Sequence, residues 1–357
     1  MRLAVVALLA AGCYHPSIPD QSFVCGPDGL CPSGFSCNAA RLCAAQGSTT
    51  TSGLYSGLLG DRDLTGLSGI LECSTKTGQM KLRTGSGATE SDMVIVPAST
   101  AGFFRLAQTT GPMLGVWSFA TFSLPAGVTI KPASDSDAML VLSTTGAMTV
   151  DGAIDWRGFG GFGGLAAQPG QDKNSGVAAG GGAGSSGGGG GGAGHATLGE
   201  SAPVGGVGGA SYGTSDLAIL HAGAGGGGGG DDGGRGGNGG GSVALLSRAQ
   251  VTLASSIDVS GIAGGTGGVA GGGGGGGGSG GSILVSAPQI VLASGHAFTS
   301  LGGTAGAGSS MESAGGAGSV GHVYLAGTLS GTPASQPEAS ITAKQDTSFP
   351  AGATAAP

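Results

Sequence analysis

The sequence is poor in charge and in aromatic side chains, and each shortage removes a class of function. Only 9% of the 357 residues are charged and 4% are aromatic. A nucleic-acid binder needs a basic stripe or stacking platforms for exposed bases, and the formal net charge here is -7. Nucleic acid is therefore set aside as a partner. The apolar run at the N-terminus is only about ten residues long, too short to span a membrane as a stable helix.

What is abundant is glycine. With 84 Gly and 15 Pro, about 28% of the chain belongs to a composition class that usually means low complexity or disorder. Disordered chains, however, combine low hydrophobicity with high net charge, whereas 39% of this chain is hydrophobic. Apolar material on that scale predicts a folded body.

"MRLAVVALLAAGC" has one positive residue, Arg2, then the apolar run, then small residues leading to Cys13. That order predicts a secretory signal over residues 1–12. It resembles bacterial lipoprotein signals, with Ala10, Ala11 and Gly12 in the small positions before the cysteine; Ala10 stands where such signals usually carry Leu. The resemblance implies a lipid on Cys13 and membrane attachment through it. Tyr14 stands where inner-membrane retention uses Asp. The implied address is the outer membrane, on its periplasmic side or at the cell surface.

Cys25, Cys31, Cys37 and Cys43 are each separated by five residues. In an exported chain, four evenly spaced cysteines in so short a segment predict a small module (13–43) stapled by two disulfides, in any of three pairings. Zinc knuckles use tighter Cys-x₂₋₄-Cys spacings, so no metal is expected there. A polar linker, 44–53, follows. Residues 54–118 show no clean period and are read as an N-terminal cap.

From Phe122 a repeat is legible. Apolar residues fall at Phe122, Leu124, Val128 and Ile130; at Met148, Val150, Ile154 and Trp156; at Val251, Leu253, Ile257 and Val259; and at Ile290, Leu292, His296 and Phe298. Leading pairs precede the later copies at Leu140 and Leu142, Val243 and Leu245, and Ile283 and Val285, with a last pair at Val323 and Leu325. Steps of two put side chains on one face of an extended strand, and steps of four leave room for a turn. Each copy then reads as three short strands that cannot bury a core alone. Stacked copies predict an all-β fold, a parallel β-helix over 119–332, followed by a tail, 333–357.

Every glycine tract falls between the last core residue of one copy and the leading pair of the next. The tracts are therefore expected as long glycine-rich loops at one corner of the stack; the sequence does not tell open loops from polyglycine helices packed side by side. Removing four glycines from 271–278 is accordingly expected to change stability little, because loop-closure entropy varies slowly with length.

Candidate chemistry is sparse. His195, Glu200, Tyr212, Asp216 and His221 stand out of the longest tract, but their spacing matches no zincin or EF-hand pattern, and anchoring roles are expected. Asp231, Asp232 and Asn238 resemble calcium-binding nonapeptide repeats without the periodic Asp. The Asp231, Asp232, Gly295 and His296 set resembles the acid pair and Gly-His of pectin-degrading β-helix hydrolases, although the acid pair lies in a glycine tract and the sugar-binding Arg and Lys are not visible. The expectation is a chain without cofactor or catalysis.

Taken in order, the signal, the four-cysteine "CGPDGLCPSGFSCNAARLC", the linker, "LPAGVTI" and the glycine-interrupted rungs ending in "GGGSGGSI" resemble the glycine-rich surface lipoproteins of myxobacteria. The resemblance implies an envelope location and adds no activity; with no catalytic set in view, a structural or adhesive role is expected, with extracellular polysaccharide or other surface proteins as partners. A polysaccharide-degrading enzyme is the alternative.

Overall fold

A computed structural model describes residues 53–342, apart from 86–88, 109–110, 162–174, 179, 186, 218, 269–271 and 310–312, together with 35–37, 43–45 and 354–355. Cys13, Cys25 and Cys31 lie outside the described residues, as do the side chains of Cys37 and Cys43. The strands Phe35–Cys37 and Cys43–Ala45 pair antiparallel with Cys37 opposite Cys43. No disulfide occurs among the described residues, where Cys73 is free and fully buried.

The chain is all-β, with a single short 3-10 turn, Gly53–Tyr55, among the described elements. Successive copies pair in parallel and their apolar residues form continuous inward columns. One runs Leu140, Val243, Ile283, Val323 and another Val150, Leu253, Leu292, each residue opposite the next in register. All seven are buried in one core cluster. The alternation of period two produces these columns, because a one-residue slip would turn every apolar side chain outward.

The third strands depart from the expected spacing. Ile130 lies opposite Ile154, and Phe298 opposite Ile257, so the third-strand column runs Leu71, Ile130, Ile154, Ile257, Phe298. Six residues separate Leu124 from Ile130 and Leu292 from Phe298, against four in the two middle copies. The two extra residues widen the corner and, being an even number, leave the inward parity intact. His296 sits in that wider corner, half-buried, and not in the core slot the spacing assigned to it.

Two sheets enclose this core. The eight-stranded sheet carries the third strands, and the twelve-stranded sheet runs up one side and returns along another. It turns through Ser282–Leu292, whose first half pairs with Ser242–Ser247 and whose second half pairs with Gln250–Leu253. Met139, Val141, Ala244, Leu246 and Leu284, on the far face of the leading strands, pack with Leu54, Tyr55, Leu106, Leu217 and Leu220. That second cluster explains why "MLVLST" and "SVALLS" read as continuous buried runs.

Residues 54–118 supply the first layer of the stack. Gly69–Cys73 pairs in parallel with Val128–Pro132, and Leu114–Phe119 with Met139–Thr144. Antiparallel strands Met80–Thr84, Ser91–Val96 and Phe103–Ala107 flank that layer, and Trp117 Nε1 donates to the Gly78 carbonyl at 2.7 Å.

Among the described residues the glycine tracts are not the long loops expected at this corner: they are hydrogen-bonded to one another, and the central ones, 188–195 and 272–281, are buried throughout. In 273–281 the direction of the N–H groups repeats every third residue: Gly273, Gly276 and Ser279 donate to Gly230, Gly227 and Ala224; Gly274, Gly277 and Gly280 to Ser313, Gly316 and Ser319; Gly275, Gly278 and Gly281 to Gly265, Ile262 and Val259, all at 2.7–3.0 Å. Three residues per turn without internal hydrogen bonds is the geometry of polyproline II, which leaves every backbone group free for a neighbour. The carbonyls of the same tract accept from three further neighbours, at Gly190 and Ala193, at Gly234, Gly237 and Gly240, and at Gly303, Gly306 and Ser309. Tract 272–281 is thus surrounded by six others, and these six are hydrogen-bonded to one another around it.

A second centre adjoins the first. Tract 187–195 donates to 274–277, 180–183 and 200–204 and accepts from 206–209, 227–230 and 316–319. Close packing of this kind requires glycine at the inward positions. A Cβ at Gly276 would stand 2.0 Å from the Gly191 carbonyl oxygen, and one at Gly191 2.0 Å from that of Val207. Side chains therefore collect on the perimeter, where every third residue faces out: Leu301, Thr304 and Ala307 on one tract, Val204, Val207 and Ala210 on another.

Candidate functional site

On either side of the column Leu71, Ile130, Ile154, Ile257, Phe298, alternate residues of the third strands face outward. Thr129 and Lys131, Ala153 and Asp155, and Ser256 and Asp258 come into line on successive parallel strands and, with Ile70 and Arg157, wall a groove of about 430 Å³. The charges in it are paired. Arg157 Nε and a terminal nitrogen reach the two Asp155 oxygens at 2.9 and 3.0 Å, and Lys131 Nζ approaches the same carboxylate at 3.2 Å. Arg157 Nε also lies 3.7 Å from Asp258 Oδ2. The Arg157 guanidinium, helped by Lys131 and opposed by partial burial, holds the Asp155 carboxyl down at about 2.

That ladder was not legible as a site, because Asp155 and Asp258 are 103 residues apart and meet only through the register Asp155 opposite Asp258. The available signal was their common place in the repeat, one residue after Ile154 and Ile257.

Of the residues singled out in the longest tract, the structure brings His195, Tyr212 and His221 together and adds His322. His195 stacks on Tyr212 with ring centroids 4.5 Å apart and meets His322 edge-on at 5.1 Å; Tyr212 meets His221 at 5.6 Å. His195 is fully buried, with Nδ1 2.6 Å from the Gly280 carbonyl. Burial pulls its imidazole down to about 3. The hydroxyls of Ser242 and Ser282 both donate to the His221 carbonyl, tying the cluster to the leading strands. His322 carries no site signal in the sequence, because it opens the strand His322–Ser330 and reads as the start of an apolar alternation.

The other singled-out residues have local roles. Glu200 accepts from the Ala317 N–H at 3.2 Å. Asp231 and Asp232 are exposed, with φ of 45° and 57°, in the turn between tracts 222–230 and 233–241. The Asp232 carbonyl accepts from Gly268, and that of Asn238 from Ile262. His296 anchors its corner, Nδ1 donating to the Ala293 carbonyl at 2.6 Å and Nε2 accepting from the Ala334 N–H at 3.0 Å. Both ring nitrogens are thereby occupied.

Among the described residues no group of three His, Cys, Asp or Glu is placed to hold a metal ion, and no helix is long and apolar enough to cross a membrane. No protein-family profile, no curated protein and no solved structure matches the chain.

Proposed function

We propose that this chain is a cell-envelope lipoprotein, anchored through Cys13, whose body is a parallel β-helix with three short strands per rung and whose role is structural or adhesive. The observation that carries the adhesive reading is the ladder of Lys131, Asp155, Arg157 and Asp258, laid along a groove open to extended chains. Paired charges with Thr129 and Ser256 hydroxyls beside them suit the hydroxyls and carboxylates of a polysaccharide.

The hydrolytic alternative needs one carboxyl group that carries a proton at working pH to protonate the departing oxygen. Asp155 is fixed in its ionised form by two cations, which supports binding over cleavage. The test is a glycan array probed with the purified body, followed by assay of the bound glycans for reducing-sugar release. Binding weakened by Arg157→Gln without release is the expected outcome. Release of reducing ends that Asp155→Asn or Asp258→Asn abolishes would replace this reading with the enzyme.

A further inference from the structure

Three of the chain's five histidines converge where the glycine block meets the leading strands, and they arrive from three different segments. His195 ends the interior tract 187–195, His221 precedes tract 222–230, and His322 follows tract 313–321. We propose that His195, His221 and His322, gathered around Tyr212, form an acid-operated latch that holds tract 187–195 tightly in the block at neutral pH and loosens its hold on acidification.

The geometry makes protonation costly for the closed form. Among the described residues Nε2 of His195 and Nε2 of His322 are buried without a hydrogen-bond partner, so a proton added to either finds no acceptor there. A charge on His195 would face the His322 and His221 rings, and its stacked neighbour, Tyr212, already gives its hydroxyl to the Ala222 carbonyl. The carboxylates nearby do not compensate. Asp216, which faces His322, is exposed, and Asp137, on the wall of the adjoining cavity, is paired with Arg105 at 2.9 Å. That cavity, about 480 Å³ and lined by Tyr212 and His221, gives water a route to the cluster.

Burial lowers all three imidazoles from their ordinary value. A group depressed in the closed form favours closure fully above its open-chain value near 6.5 and loses that advantage progressively as the pH falls toward the closed-form value. The latch therefore weakens between about pH 6.5 and pH 3. At pH 5 a single imidazole of this kind raises the opening constant about 25-fold over its value at pH 7.

Hydrogen exchange of the whole protein, read by mass spectrometry and corrected for intrinsic rates, tests this between pH 7 and pH 5. Peptides covering 187–195 should lose protection by about that factor while those covering 282–292 keep theirs. His195→Asn, whose amide can still donate to the Gly280 carbonyl, should flatten the loss. Equal loss in both regions, or an undiminished loss in His195→Asn, overturns the latch. If that variant does not fold, imidazole titration of the parent protein by NMR decides: a His195 ring that titrates near 6.5 in the folded state overturns it, and one still neutral at pH 5 upholds it.

Discussion

At the scale of the residue, two glycines of the same block should respond oppositely to one methyl group. Gly276 lies on the central tract, where a Cβ would meet the Gly191 carbonyl oxygen at 2.0 Å. Gly187 lies at the rim, where the nearest atom to a built Cβ is an Asp231 carboxylate oxygen at 4.0 Å. Gly276→Ala should therefore cost about 3 kcal/mol or more through displaced backbone. Gly187→Ala should change stability by no more than about 0.5 kcal/mol, with a small gain because the unfolded chain loses freedom. Thermal melts of the two variants check this, and similar melting temperatures would count against a close-packed block. The distinction could not be read from the sequence, since both residues stand in runs of glycine and only the surrounding tracts tell inward from outward positions.

At the scale of the element, strand and glycine tract turn out to be equally committed to structure. Removing Gly272 to Gly275 strips donors that serve Gly230, Ser313 and Gly265 and acceptors that serve Gly190, Gly234, Gly306 and Ser309. At about 1 kcal/mol for each hydrogen bond, the loss should reach several kcal/mol, against the small change that a loop would show. Sliding the chain to fill the gap would bring Val269 and Ala270 toward positions that admit only glycine. Urea unfolding followed by circular dichroism measures it, and a change within about 0.5 kcal/mol would restore the loop reading. Leu253→Asp should also cost several kcal/mol, because it sets an unpaired carboxylate between Val150 and Leu292. The strand columns were legible because period two leaves a visible apolar trace. The third strands were legible only in part, since a corner of four or six residues preserves the same parity. The block was not legible: its three-residue period shows on the rim, as in Leu301, Thr304 and Ala307, and vanishes in the centre where no side chain exists to mark it.

At the scale of the whole molecule, attachment and thermal behaviour are separate questions. If Cys13 carries lipid, intact mass of the membrane fraction should show diacylglyceryl modification, and Cys13→Ser should abolish it and release the protein; an unmodified soluble form in the parent strain would contradict the anchor. The thermal question follows from the two interiors. The strand columns bury hydrocarbon, whereas tracts 187–195 and 272–281 bury little besides peptide groups. Exposing apolar surface raises the heat capacity on unfolding and exposing polar surface lowers it, so the two halves offset each other. Calorimetry should give a heat-capacity increment below the usual ~12–15 cal/mol/K per residue. Hydrophobic cohesion fades on cooling, and the heat-capacity contribution of buried peptide groups, opposite in sign, offsets part of that curvature. The stability curve of this protein should accordingly be broad and shallow, and its glycine half should hold together in the cold better than its hydrocarbon half.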